Sequence, residues 1–224
     1  MTRIVPWLYW FGHFLSTSLF RLLGKWRVYG RSNVPETGGA VIAANHTSYL
    51  DPPVVGGGLR RPCFYMGKKQ LFEIPVLGFL IRRTGCFPVD RDHPDTKVIR
   101  FAVELLRQGN LLCIFPEGGR SPDGKLMLEE AGIGPALIAN RAGVPIIPAY
   151  IRGTFESYPM GGKFPRRADI SITYGEPLDT AAAAGGKASK AELQEITDRV
   201  MAAIARLGDQ EPGASTRAEG RGER

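Results

Sequence analysis

Three uninterrupted apolar runs constrain the fold of this chain more than any other feature of its sequence. They cover Ala40–Ala44, residues 111–115 and residues 145–151. Runs of this length, bounded by glycine, proline and polar residues, are typical of strands. Because they lack the apolar–polar alternation of a half-exposed strand, both faces of the sheet must be covered. The sequence therefore predicts an α/β protein with a sheet enclosed by helices.

Helical periodicity supports the same class. One helix is predicted from His93 to Gly109, with apolar residues at i, i+3, i+4, i+7 and i+8 and with His93 as its cap. The last helix is predicted from Ser189 to Leu207, and its Ser-x-x-Glu start is a capping-box pattern. Residues 170–174 alternate between apolar and polar side chains, which predicts a half-exposed strand.

Positive charge is concentrated in two parts of the chain. The formal net charge is +7 and the isoelectric point is about 9.5. The first 35 residues carry five basic and no acidic residues, and residues 60–83 carry six basic residues against one acidic residue. This charge indicates either a solvated basic face or a partner that bears phosphate. A nucleic-acid partner is not expected, because no helix-turn-helix, zinc-finger or aromatic RNA-binding signature accompanies the charge.

The cysteines and histidines argue against a metal or a disulfide framework. The three cysteines, Cys63, Cys86 and Cys113, are odd in number and form no C-x-x-C pair. Neither a zinc site nor a disulfide is therefore predicted, and a reducing cytoplasm is the simplest setting. No metal and no cofactor are expected.

The two ends of the chain differ from its body. Residues 4–20 carry no charge and are rich in aromatic side chains. A spanning helix needs about 20 apolar residues, so residues 1–24 are predicted to form a helix in the membrane interface; the alternative is a helix packed on the protein's own core. Residues 25–207 form the predicted catalytic domain, and the polar residues 208–224 are predicted to be a disordered tail.

A histidine and an aspartate follow the first apolar run. His46 lies directly after Ala40–Ala44, and Asp51 follows five residues later, just before Pro52. A continuous helix would separate these side chains by about 140°, so they can meet only if the segment turns, which Pro52 favours. A carboxylate bonded to one imidazole nitrogen would let the other nitrogen remove a proton from a hydroxyl. The alternative is a histidine that caps a helix.

A glycine-rich turn follows the second run. Residues 116–121 read P-E-G-G-R-S, in which glycines can present backbone N–H groups to an anion and an arginine can grip a phosphate with two hydrogen bonds. The alternative is a plain glycine turn with a surface arginine. The chain has no P-loop, no G-x-G-x-x-G, no H-E-x-x-H and no G-x-S-x-G pattern.

Four motifs in order make the sequence resemble the 1-acylglycerol-3-phosphate acyltransferase family, a group of glycerolipid acyltransferases. Residues 45–51 (N-H-T-S-Y-L-D) resemble its first motif and residues 115–121 (F-P-E-G-G-R-S) its third. The second motif resembles residues 67–72 with residues 85–91, and the fourth resembles residues 144–148. The resemblance implies a mixed, largely parallel sheet flanked by helices, with an N-terminal membrane-associating helix.

The same resemblance implies the chemical roles. His46 would be the base and Asp51 would orient it, with transfer from acyl-CoA or acyl carrier protein to the sn-2 hydroxyl of 1-acylglycerol-3-phosphate and no acyl-enzyme. The enzyme would work at the cytoplasmic face of the membrane, as a peripheral or monotopic protein on an anionic surface. The residues expected to bind the lysophospholipid acceptor and its phosphate are Glu117, Gly118, Gly119, Arg120, Ser121, Lys69 and Arg91.

Two departures from the family pattern leave alternatives open. Gly119 stands where threonine is commonest in the family, and residues 128–132 (L-E-E-A-G) carry acids where a Phe-Lys pair often precedes a glycine. Another lysolipid acceptor is therefore an alternative. A hydrolase with Ser48 or Ser121 as nucleophile, and a non-catalytic basic lipid-binding domain, are the other two.

Overall fold

The computed structural model describes residues 3–90, 95–129, 131–180 and 188–210. Its strands are β1 Trp26–Tyr29, β2 Ala40–Ala44, β3 Cys63–Lys68, β4 Cys86–Val89, β5 Leu111–Ile114, β6 Ile146–Arg152 and β7 Ile170–Tyr174. Its α-helices are α1 Pro6–Leu23, α2 Asp51–Gly58, α3 Pro75–Arg83, α4 Thr96–Arg107, α5 Gly134–Ala142, α6 Thr154–Ser157 and α7 Lys190–Asp209. Short 3-10 helices occupy Arg31–Asn33 and Lys69–Phe72.

The seven strands form one sheet in the order β1-β7-β6-β2-β5-β3-β4. Every neighbouring pair is parallel except β6 and β7, which are antiparallel. The predicted mixed, largely parallel sheet is therefore confirmed. Strands β2 to β6 all end at the same edge, and parallel sheets place their sites at that edge.

Both faces of the central strands are buried, as the unbroken apolar runs predicted. Val41 and Ala43 pack into the core beneath α4, α5 and α7. Ile42 and Ala44, which point the opposite way, pack into a second core with α1 and α2. Strand β2 thus contributes apolar area to two cores. A polar residue on either of its faces would be buried, which is why apolar and polar residues do not alternate along it.

Two details differ from the sequence predictions. Strand β7 is buried throughout, with Ser171 and Thr173 at 7% and 9% exposure. These two small side chains lie between larger ones on the same face of the sheet, which belong to their register partners on β1 and β6. Helix α4 begins at Thr96 and its N-cap is Asp95, whose carboxylate accepts from the Lys97 N–H, so the prediction that His93 caps this helix is wrong. His93 itself lies outside the described residues.

The ends of the chain follow the predictions in part. Helix α1 is present, but among the helices that the structure describes none is long and apolar enough to cross a membrane. Helix α7 starts at the Ser189–Glu192 capping box, as predicted, and ends at Asp209, two residues beyond the boundary proposed at residue 207. The predicted tail from residue 211 onward lies outside the described residues.

Candidate active site

The loop after β2 brings His46 and Asp51 into direct contact. His46 Nδ1 lies 2.8 Å from Asp51 Oδ2. Because the carboxylate is an acceptor, this contact assigns the imidazole hydrogen to Nδ1 and leaves the lone pair on Nε2. The chain turns over residues 47–50, as the sequence required for contact between the two side chains, and α2 begins at Asp51 itself. The side chain of His46 keeps 11% of its surface accessible.

Backbone amides hold Asp51 in place. Its Oδ2 atom accepts hydrogen bonds from the N–H groups of Thr47 at 2.6 Å and Ser48 at 2.7 Å, in addition to the bond from His46. Oδ1 is buried without a hydrogen-bond partner among the described residues. The carboxylate is fully buried, so its charge acts on the imidazole with little screening by water.

Residues 45–50, here called the histidine loop, are hydrogen-bonded to β6 and to the segment that follows it. The Asn45 side chain pairs with both backbone groups of Ile151, at 3.0 and 2.7 Å. The Thr47 and Thr154 hydroxyls lie 3.2 Å apart, and the Ser48 hydroxyl donates to the carbonyl of Tyr158 at 2.7 Å. These hydrogen bonds hold the loop in one conformation and so fix the direction of the imidazole.

The turn after β5 contacts both the ring and the backbone of His46. The Phe115 ring is stacked on the imidazole, with centroids 4.0 Å apart and planes 16° from parallel. Glu117 is 3% exposed; its Oε1 accepts from the His46 N–H at 2.7 Å and its Oε2 from the Met127 N–H at 3.0 Å. The Ser121 N–H donates to the His46 carbonyl at 2.8 Å. Glu117 therefore shapes the site through the backbone.

Arg120 projects beside the same histidine loop. Its guanidinium carbon lies 3.5 Å from the ring centroid of Tyr49, which belongs to the loop between His46 and Asp51. The Nη1 atom is buried and has no hydrogen-bond partner among the described residues. Gly118 has φ +66°, and an added Cβ at Gly118 or Gly119 would meet no atom within 4 Å. The arrangement leaves open space next to a cation, which suits a phosphate.

The other residues predicted to bind the acceptor are Ser121, Lys69 and Arg91. Ser121 is fully buried, and its hydroxyl donates to Asp123 at 2.8 Å. Lys69 is exposed at the start of the 3-10 helix after β3, and no hydrogen bond or ion pair joins it to a described residue of the site. Arg91 lies outside the described residues.

Comparisons with known proteins agree with this geometry. A family model described as Acyltransferase matches residues 25–152, more than half of the chain. The chain is also similar to the 1-acyl-sn-glycerol-3-phosphate acyltransferase of Bacillus subtilis, at 32% identity over 73% of this chain and 78% of that protein. The chain belongs to the acyltransferase family. Its fold and its activity class, transfer of an acyl group, are thereby established.

Two further relatives extend the comparison. The 1-acyl-sn-glycerol-3-phosphate acyltransferase of Streptococcus pneumoniae is 27% identical over 76% of this chain and 61% of its own length. The crystal structure of the 1-acyl-sn-glycerophosphate acyltransferase of Thermotoga maritima superposes with a TM-score of 0.68 at 26% identity, covering 91% of this chain and 80% of that one.

The serines of this acyltransferase are poorly placed for a hydrolase mechanism. The Ser48 hydroxyl donates to the Tyr158 carbonyl, and the Ser121 hydroxyl donates to Asp123. Within the described part of the chain, neither hydroxyl is hydrogen-bonded to the His46 imidazole. A serine nucleophile needs that bond to its base.

Sequence reasoning missed several supporting residues. Phe115 and Tyr49 lie inside the recognised motifs, and their aromatic character was the available signal for stacking on His46 and Arg120. Thr154 and Tyr158 lie outside every motif. Only their position after a third apolar run, at the edge where parallel strands end, could have indicated them.

Proposed function

We propose that this acyltransferase moves a fatty acyl group from a thioester to the free sn-2 hydroxyl of 1-acylglycerol-3-phosphate and gives phosphatidate. The names of the Bacillus subtilis and Streptococcus pneumoniae relatives support this acceptor. The pairing of His46 with Asp51 beside the Arg120 guanidinium supports it independently, because the acceptor combines a hydroxyl with a phosphate. That juxtaposition is the single observation on which the proposal depends.

The proposed reaction needs one base and no covalent intermediate. His46 Nε2 removes the proton of the acceptor hydroxyl while the oxygen attacks the thioester carbonyl. Asp51, held by two backbone amides, stabilises the imidazolium that forms. The carbon–sulfur bond then breaks, and the leaving thiolate takes the proton back from His46. The products are the new ester and the free thiol, with no net change in the enzyme.

The acceptor phosphate is proposed to bind at Arg120. The guanidinium lies on Tyr49, and no described carboxylate forms an ion pair with it. Arginine offers a planar fork that matches phosphate, and stacking on an aromatic ring pre-organises that fork. Gly118 and Gly119 leave the space in front of it open. Ser121 contributes its backbone to the turn, and Lys69 and Arg91 remain candidate cations for the phosphates of the substrates.

The donor and the place of the reaction are also proposals. Either acyl-CoA or acyl carrier protein fits the positive charge, since both carry phosphate at the end of the pantetheine arm opposite to the thioester. The reaction is proposed to occur at the cytoplasmic face of the membrane, on an anionic surface. Helix α1 supports this because its outward side exposes Trp7 at 71%, Phe11 at 58% and Phe14 at 67%. Aromatic side chains of this kind favour the membrane interface.

The test follows the free thiol and the lipid product together. Purified protein is mixed with acyl-CoA and either lysophosphatidate or monoacylglycerol, which lacks the phosphate. We expect thiol release and phosphatidate formation in equal amounts only with lysophosphatidate, and loss of both in His46→Ala. Arg199→Ala, an exposed arginine on α7, is the control and should retain full activity. Thiol release without acceptor would favour a hydrolase, and equal use of monoacylglycerol would refute phosphate recognition.

A further inference from the structure

Helix α3 exposes apolar side chains where a surface helix normally carries polar ones. Val76 is 72% exposed, Phe79 54% and Leu80 40%. These positions fall on one side of the helix, because residues three and four apart share a face. The opposite side packs inward at Gly78, where an added Cβ would lie 2.5 Å from the Phe72 carbonyl oxygen. The apolar face of α3 is thus directed outward.

The C-terminal end of α3 adjoins the segment that leads into α1. The Val5 N–H donates to the Arg83 carbonyl at 2.9 Å, and the Ile4 side chain lies against Gly85, just after α3. Helix α1 also exposes apolar residues outward, while Tyr9 and Phe20 pack inward. Two neighbouring helices therefore each present several large apolar side chains to the surroundings, which is typical of an interaction surface.

A cleft of about 650 Å³ lies between the segment that precedes α1, the end of α3, β4 and α4. Four cations line it: Arg3, Arg82, Arg83 and Lys97. Its floor is apolar and includes Phe87 and Phe101, whose rings make an edge contact at 5.0 Å. Strand β4 lies three strand positions from β2, roughly 14 Å at the usual strand spacing, so the cleft is separate from the catalytic histidine.

The arginines of the cleft lie against aromatic rings. Arg82 lies 4.8 Å from the Phe72 ring centroid and Arg83 lies 4.6 Å from that of Phe79. Neither forms an ion pair with a described carboxylate. An arginine above an aromatic ring at an exposed apolar face suits the membrane interface, where the ring enters the acyl region and the guanidinium meets phosphates.

We propose that α3 and this cleft form a second membrane-binding site, which takes the phosphate headgroup of an anionic phospholipid in the leaflet contacted by α1. The occupant is a bilayer lipid because the surface combines exposed aliphatic side chains with cations. An acidic carrier protein would match the cations alone and leave Val76 and Leu80 in water. This second site rests on the proposed location of the reaction at a membrane surface. It does not depend on which lysolipid accepts the acyl group.

The test measures sedimentation of the full chain with vesicles of phosphatidylcholine, with or without phosphatidylglycerol. Each cation near an anionic surface contributes about fivefold to partitioning. Arg82→Gln with Arg83→Gln should therefore lower partitioning into phosphatidylglycerol vesicles roughly twentyfold and leave weak binding to pure phosphatidylcholine unchanged. The matched control is Arg199→Gln with Arg206→Gln, two exposed arginines of α7. It removes the same charge and should change partitioning by less than about twofold if the effect is local.

Two further variants test the apolar part and guard against misfolding. Val76→Ser with Phe79→Ser should weaken binding to both kinds of vesicle about tenfold or more, because the lost contact is apolar. Should the arginine variant fail to fold, Lys97→Gln on α4 carries the same prediction at roughly fivefold. Folding is checked by circular dichroism and by acyl transfer to acceptor in detergent micelles, which should match the wild-type protein.

The outcomes separate this proposal from the proposed function. Equal partitioning of the cleft variant and the α7 control would overturn the second membrane site, whatever the enzyme acylates. Binding of acyl carrier protein that displaces the vesicles and is lost in the cleft variant would overturn it in favour of a protein partner. Absence of transfer in micelles by the wild-type protein would instead refute the proposed acceptor and leave the vesicle results standing.

Discussion

Replacing Asp51 by asparagine separates the charge of this carboxylate from its hydrogen bonds. Oδ2 accepts three bonds, from His46 Nδ1 and from the N–H groups of Thr47 and Ser48. Oδ1 accepts none from the described residues. The carbonyl oxygen of the introduced amide can therefore take the position of Oδ2, and the two backbone donors oblige it to do so. The imidazole then keeps its hydrogen on Nδ1 and its orientation.

The expected loss of activity in Asp51→Asn follows from the distance between the imidazole and the carboxylate. At 2.8 Å a full imidazolium and a carboxylate interact by about 6 kcal/mol when the effective dielectric constant is about 20. If about half of that charge has developed in the transition state, the loss is about 3 kcal/mol, or on the order of a hundredfold in rate. All three hydrogen bonds retain an acceptor, so the cost in stability comes from the amide NH2 group, which takes the place of Oδ1, where no described residue accepts from it; burying it unpaired costs about 1–3 kcal/mol.

Asp51→Ala should behave differently. It leaves the buried N–H groups of Thr47 and Ser48 without an acceptor, which costs about 1–3 kcal/mol for each group. We therefore expect Asp51→Ala to lose activity and unfold at clearly lower urea concentration. Asp51→Asn should lose activity and unfold at a urea concentration between those of Asp51→Ala and the wild-type protein, because it leaves only the amide NH2 group unpaired.

The assay pairs thiol release at saturating lysophosphatidate with urea unfolding followed by circular dichroism. Wild-type activity in Asp51→Asn would show that the carboxylate charge is not used in catalysis. Equal destabilisation of the two variants would refute the assignment of the backbone hydrogen bonds to Oδ2.

Four other substitutions have defined outcomes. Arg120→Lys keeps the charge but loses the planar fork, so the KM for lysophosphatidate should rise about tenfold while the KM for the thioester stays unchanged in steady-state kinetics. Gly119→Thr should alter the free energy of unfolding by less than about 0.5 kcal/mol because the space is open, whereas Gly58→Ala should cost about 1–3 kcal/mol because its Cβ meets the Tyr174 hydroxyl. Burial raises the pKa of Cys86 from 9.0 to about 12; the unfolded chain ionises first, so stability should fall between about pH 9 and 12 and Cys86→Ala should lessen that fall in unfolding titrations.

Local patterns predicted the central sheet and singled out His46 and Asp51 as two residues that could meet. The run Ala40–Ala44 has no polar residue, and both of its faces are indeed covered. His46 and Asp51 are five residues apart, so a short turn next to Pro52 is enough to bring them together. Strand β7 shows the limit of this reasoning. Its alternation predicted one exposed face, but tertiary packing buries Ser171 and Thr173 as well.

The supports of the site could not be predicted because they are distant in sequence. The partners of Asn45, Thr47 and Ser48 lie 106, 107 and 110 residues further along the chain. No periodicity or motif spacing reports such pairs, and they exist only once the sheet places the ends of β2 and β6 side by side. Likewise, the outward apolar face of α3 resembles a core-facing helix in sequence, and only the fold reveals its direction.

The most direct test of direct transfer from donor to acceptor with His46 as base is a single-turnover experiment. Enzyme in excess over acyl-CoA is examined by mass spectrometry of the protein and by thiol detection, before and after lysophosphatidate is added. We predict no thiol release and no acylated protein before addition, and afterwards phosphatidate in an amount equal to the thiol released. A burst of thiol with an acyl group attached to the protein, formed in the absence of acceptor, would contradict the account.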